Sequence, residues 1–221
     1  MPIARYQLYG AFAKGINPAT QIDFPSVRPR RNTRYKRHAH DSANGIAVDP
    51  SGQHVWVTGT TASAAFPTTT GAYDTSFNGE DDAFVLKLAI PQSTLGYSTF
   101  LGGAKLDVAW AIAVDEGGAA YVAGGTYSTD YPVTSGAFDT TSARGEAFNS
   151  KLDAAGSRLV GSTYLGGNGF DTCYGIALDA ETSIAYLVGI TGSLNFPVSP
   201  IALDQVYSGG KDAFMAKVGF P

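Results

Sequence analysis

The chain has 221 residues, 12% aromatic and only 15% charged, with a formal net charge of −4. That length buries a full core in one or two domains, and a single cysteine, Cys173, excludes an internal disulfide. No run of 18 apolar residues is present, so no helical membrane span is expected, and Met1–Gly15 lacks the pattern of a secretory leader.

Residues 1–40 differ from the rest. They hold eight Lys/Arg (Arg5, Lys14, Arg28, Arg30, Arg31, Arg34, Lys36, Arg37) against one acid, Asp23, which leaves seven basic and eighteen acidic residues in 41–221. Such asymmetry fits an arm for nucleic acid or an anionic surface. A plainer reading is that Ala11-Phe12-Ala13-Lys14 copies the later Ala213-Phe214-Met215-Ala216-Lys217. The basic run Val27–Thr33 then stands where a strand ending Leu-Gly-Gly is expected, as a one-base shift of reading frame would produce. A decayed remnant, a solvated tail and a functional basic arm all stay open here, and nucleic-acid binding through residues 26–37 is opposed by the acidic body.

From Asp41 onward the chain repeats. Phe66-Pro67, Tyr131-Pro132 and Phe196-Pro197 are spaced 65 residues apart, and Phe84, Phe148 and Phe214 are spaced 64 and 66 apart. Leu101-Gly102-Gly103 returns as Leu165-Gly166-Gly167. A fixed period marks units that bury their apolar faces against one another. The units are 41–106, 107–170 and 171–221, the last without its outer strand.

Within the first unit the alternation and turn residues predict strands over Asn44–Asp49, His54–Thr61, Ala83–Ile90 and Leu95–Leu101. Asp49-Pro50-Ser51-Gly52 supplies a turn, with Pro presetting φ and Gly accepting a positive one. No dozen-residue window carries a helical period free of Gly or Pro. The expected fold is all-β: an open, partial β-propeller of four-stranded antiparallel blades of about 65 residues, longer than the commonest propeller repeats.

Gly-Ile-Ala-Val-Asp, Val-Thr-Gly-Thr-Thr-Ala-Ser, Phe-Pro-Thr-Thr, Asp-Ala-Phe-Val-Leu-Lys-Leu and Tyr-Ser-Thr-Phe-Leu-Gly-Gly, in that order, resemble the bacterial SBBP-type β-propeller repeat over residues 41–221. The resemblance implies a fold and an exported or surface protein, and it transfers no catalytic residues. Three blades do not close a ring, so the chain reads as a fragment of a longer protein, with half of a ring completed by a second copy and a chain poorly folded alone as the alternatives.

Chemistry-bearing residues are sparse. Cys173 falls near the start of an inner strand and reads as a small buried apolar residue. His54 has no second His or Cys at ligand spacing. Glu80-Asp81-Asp82 has the look of a calcium loop, yet its equivalents are a lone Glu146 and Lys211-Asp212, which favours a solvated loop. Asp41, Asp107 and Asp171 recur before each first strand, and Asp49, Asp115 and Asp179 after it, as strand-end and turn acceptors. The second unit supplies Trp110 and Tyr127, and Trp110 reads as core packing or the wall of a central channel. No catalytic, cofactor-binding or metal residue is assigned. The expected function is a non-enzymatic scaffold that contacts protein or glycan ligands through blade loops. The alternative is a hydrolase or lyase with loop carboxylates at the funnel mouth.

Overall fold

A computed structural model describes residues 40–220 apart from Pro91, Arg144 and Ala180. The basic segment and its proposed strand remnant therefore lie outside the described residues. Eleven strands and no helix occur among those described: β1 Asp41–Val48, β2 His54–Thr61, β3 Asp82–Ala89, β4 Thr94–Leu101, β5 Asp107–Val114, β6 Ala120–Thr126, β7 Glu146–Leu152, β8 Leu159–Leu165, β9 Asp171–Leu178, β10 Ala185–Thr191 and β11 Asp212–Val218. No helix of the described residues is long and apolar enough to cross a membrane.

The strands form three antiparallel sheets in sequence order, β1-β2-β3-β4, β5-β6-β7-β8 and β9-β10-β11. The hairpins follow from local chemistry. Gly52 (φ 67°) and Gly118 (φ 82°) take the left-handed position in the first hairpin of the first two sheets, whereas the third places Ser183 there at φ 54°. Asp49 Oδ1 accepts from Gln53 N (2.9 Å), and Asp115 Oδ1 accepts from Ala119 N (2.9 Å). Asp179 Oδ1 accepts from Glu181 N (3.0 Å), so this acid series closes turns.

Consecutive sheets pack face to face, with β5 against β1 and β2, and β9 against β5 and β6. Each strand alternates its side chains between two neighbours, which makes the middle sheet buried on both faces. Trp56, Val85 and Tyr97 of the first sheet meet Ile112, Val122 and Phe148 of the second. Tyr121, Ala123 and Leu165 meet Cys173, Leu187 and Phe214 across the next junction. The two landmarks of the repeat turn out to touch: Phe66 packs on Phe84 (4.5 Å between ring centroids), Tyr131 on Phe148 (4.5 Å) and Phe196 on Phe214 (4.6 Å). The aromatic before each Pro thereby anchors the long connection to the third strand of its own sheet.

The first strand begins three residues earlier than the alternation predicts. The reason is a β-bulge, which carries the pairing past one unpaired residue: the register shifts between Ala43 and Gly45, and the same shift occurs between Ala109 and Ala111. In the third sheet it falls opposite Val188 and Gly189 and skips Tyr174. The bulged strand presses on its neighbour at a glycine each time. A Cβ on Gly59, Gly124 or Gly189 would collide with the carbonyl of Ser42, Val108 or Thr172.

Candidate functional site

Two constellations repeat from sheet to sheet. The first is the row of bulged residues on the first strand of each sheet, Asn44, Trp110 and Tyr174. A bulge re-aims its side chain out of the alternation, and Trp110 is 39% exposed and Tyr174 49%. Their rings lie 5.9 Å apart between centroids, and Asn44 Nδ2 donates to the Ala109 carbonyl (2.9 Å) next door. Trp110 is thus no part of the core; it stands open beside Tyr174 on the first strands of neighbouring sheets. Tyr127, also exposed, packs on Phe170 (5.9 Å).

The second constellation is a clasp between sheets. After β4 the segment Gly102–Leu106 crosses to the next sheet and is gripped by side chains of that sheet. Asp107 Oδ2 accepts from Gly103 N (2.7 Å) and from Ser128 Oγ (2.8 Å), and Asp107 Oδ1 accepts from Thr126 Oγ1. Ser128 Oγ in turn accepts from Lys105 N (2.8 Å). The next junction reproduces most of this: Asp171 Oδ2 accepts from Gly167 N (2.9 Å) and Ser193 Oγ (2.6 Å), and Ser193 Oγ accepts from Gly169 N (2.8 Å), while Asp171 Oδ1 has no partner among the described residues.

Each clasp contains a second carboxyl from the preceding sheet. Asp82 Oδ2 accepts from Asn78 N (2.8 Å) and Glu146 Oε1 from Ala143 N (3.1 Å), while Asp82 Oδ1 and Glu146 Oε2 have no partner among the described residues. A Cβ on Gly102 would sit 2.8 Å from Asp107 Oδ2 and 3.0 Å from Asp82 Oδ1, so both oxygens border one small space. A Cβ on Gly166 would overlap both Glu146 Oε2 and Asp171 Oδ2. This is why Leu-Gly-Gly recurs: the first glycine leaves room for two carboxyls and the second donates to one of them. All four acids are buried, Glu146 at 2% exposed and the others at 0%.

Burial disfavours the charged forms. It pushes Asp82 and Asp107 each up to about 6, helped by their mutual or neighbouring negative charge and opposed by the hydrogen bonds they accept. Burial, with the Asp171 charge adding to it, pushes Glu146 up to about 7. Asp82, Asp107 and Glu146 therefore keep their protons to higher pH than free carboxyls do.

The solvated-loop reading of Glu80-Asp81-Asp82 is corrected for its last member. Glu80 is exposed and reaches Lys105 (3.9 Å), but Asp82 opens β3 and turns inward. The clue available in the sequence was a spacing: Asp82 to Asp107 and Glu146 to Asp171 both span 25 residues. Among the described residues no group of three or more His, Cys, Asp or Glu is arranged to hold a metal ion.

His54 lies in an open depression of about 460 Å³ with Asp49, Trp56, Lys87, Asp115 and Glu116. Its Nδ1 is 2.9 Å from Asp49 Oδ2, and this bond holds the Asp49 carboxyl well below the usual range. Lys87 Nζ covers the Trp56 ring at 4.7 Å, and Lys151 repeats the contact on Tyr121 at 5.0 Å. The recurrence marks it as part of the repeat's packing. Cys173 is buried, and its thiol is pushed up to about 12 by burial and the Asp171 charge, which suits a packing residue.

No protein-family model and no curated protein matches the chain.

Proposed function

We propose that the chain is an arc of an SBBP-type β-propeller that serves as a non-enzymatic binding scaffold in an exported bacterial surface protein. The observation that carries this reading is the exposed Trp110–Tyr174 pair, set at equivalent bulges on the first strands of successive sheets. Two aromatic faces with the Asn44 amide in the same row offer a surface to a ligand with a flat, partly apolar face, the class to which sugar rings belong.

The buried carboxyl pairs support the scaffold reading over a hydrolase or lyase, since 0–2% exposure leaves them no surface for a substrate. Their donors are the chain's own backbone and hydroxyls, which is the chemistry of a fastening.

The test uses the chain's two tryptophans, Trp56 being 1% exposed and Trp110 39%. Iodide quenching of Trp fluorescence then reports on Trp110. Soluble oligosaccharides of bacterial surface polysaccharides, titrated in turn, are expected to protect Trp110 saturably, and Trp110→Ala to abolish the signal and the binding measured by calorimetry. Binding that survives Trp110→Ala and Tyr174→Ala together would overturn the assignment of this row.

A further inference from the structure

The hydrogen bonds of the two clasps leave part of each carboxyl pair unanswered. Asp82 with Asp107, and Glu146 with Asp171, are exposed by 2% or less, yet Asp82 Oδ1, Glu146 Oε2 and Asp171 Oδ1 have no donor among the described residues. An interior carboxylate oxygen without a partner is costly unless something positive meets it. No basic side chain does. Among the described residues the ion pairs engage Asp49, Glu80, Asp81 and Asp115 instead. The further charges acting on the pairs are acidic: Asp74 and Asp130 at the first clasp, Asp139 at the second.

The glycine of each crossing segment sets the spacing of the pair. A Cβ on Gly102 would stand 2.8 Å from Asp107 Oδ2 and 3.0 Å from Asp82 Oδ1, and one on Gly166 would overlap both Glu146 Oε2 and Asp171 Oδ2. The oxygens of the second pair therefore lie within the roughly 5 Å that one calcium ion bridges with ligands at about 2.4 Å. Those of the first pair are at most slightly farther apart. Backbone donors hold the carboxyls in place, Asn78 N on Asp82 Oδ2 (2.8 Å), Gly103 N on Asp107 Oδ2 (2.7 Å) and Gly167 N on Asp171 Oδ2 (2.9 Å). Glu146 is one methylene longer than Asp82, yet both bring an unpaired oxygen to the crossing glycine. Packing alone does not call for a charge there. All the candidate ligand atoms are oxygens, the set that suits calcium, and calcium tolerates an irregular shell that magnesium does not.

We propose that each clasp binds a hard, oxygen-seeking cation of the calcium class, held by Asp82 and Asp107 at the first junction and by Glu146 and Asp171 at the second. No third acid joins either pair at ligand distance among the described residues. Water and backbone carbonyls then complete the shell, and the affinity is weak, on the order of 10⁻⁴ to 10⁻³ M. The ion fastens consecutive sheets by removing the repulsion between the carboxyls that tie them, which protonation does when the ion is withheld.

Terbium(III), which takes calcium sites and emits when a nearby tyrosine is excited, is titrated into the full chain and displaced with calcium alone. Tyr164 serves as the antenna, since its hydroxyl donates to the carbonyl of Ser128 (3.0 Å), the residue whose Oγ donates to Asp107. Expected are two ions per chain, one after Asp82→Asn or Glu146→Gln, and none after both; circular dichroism checks that each isosteric variant folds. Glu80→Gln, at an exposed acid of the same loop, leaves both sites intact. The wild-type chain needs no variant for the second readout: at pH 8 its Tm is expected to be about 5 °C or more higher in calcium at roughly ten times the dissociation constant than in EDTA. Equal melting in calcium and EDTA overturns the inference. So does terbium emission that survives the double variant or disappears with Glu80→Gln, either of which places the ion on the surface.

Discussion

Replacing Glu146 by Gln tests the clasp at its most sensitive point. Below pH 4.5, the ordinary value for Glu, the wild-type carboxyl is protonated both folded and unfolded. As pH rises, the unfolded chain releases this proton first, while the folded chain holds it to about 7. The folded state therefore binds more protons over that window, and stability falls from pH 4.5 to 7 and then stays low. The difference corresponds to about 3 kcal/mol at about 1.4 kcal/mol per pH unit. Gln keeps the shape, can accept from Ala143 N as Glu146 Oε1 does, and is uncharged at every pH. Glu146→Gln is thus expected to match the wild type near pH 4.5 and exceed it at pH 8 by up to about 3 kcal/mol, or roughly 6–12 °C in Tm for a domain of this size. Thermal melts followed by circular dichroism from pH 4 to 8 measure it. Part of the fall between pH 4 and 6 survives in the variant, because Asp82 and Asp107 titrate there. A variant that tracks the wild-type curve above pH 6, or that is less stable at pH 8, refutes the burial of a carboxyl that resists ionisation at Glu146.

The other expectations follow from burial and backbone. Phe148→Ala removes a ring that is 0% exposed between Tyr131 and the neighbouring sheet and is expected to cost about 3–5 kcal/mol, whereas Met215→Ala, at 75% exposed, stays within about 0.5 kcal/mol in chemical denaturation. Ser183→Gly relieves a left-handed backbone at φ 54° and is expected to raise stability by about 0.5–1 kcal/mol, read as an upward shift in Tm; no change or a loss contradicts strain at this turn. The Cys173 thiol is expected to ignore a thiol reagent in the native chain and to react stoichiometrically in denaturant, and a fast native reaction would place it outside the second core.

The strands were legible because their signals are local. Alternation around Val55–Val57 and Phe84–Leu88, with Asp, Pro and Gly between, fixes strands to within one to three residues. The repeat spacing also brought the Phe-Pro landmark and the Asp-Ala-Phe landmark into view, although not their contact. What stayed hidden depends on pairing between segments. A bulge at Asn44, Trp110 or Tyr174 is one extra residue in an otherwise ordinary strand, visible only once the partner strand is known. Asp82 and Glu146 look like loop acids because their partners, Asp107 and Asp171, belong to the next sheet. Adjacent charge favours water in a local reading, and only the crossing of Gly102 and Gly166 encloses it.

Native-state hydrogen exchange along the whole chain tests most directly the claim that three equivalent sheets stack in series. The middle sheet, covered on both faces, is predicted to hold the slowest-exchanging amides, with β5, β6 and β7 slowest of all, and β11 to exchange fastest among the strands. Uniform protection across the three sheets, or a β11 slower than β7, would contradict the stacked order and the open outer edge together.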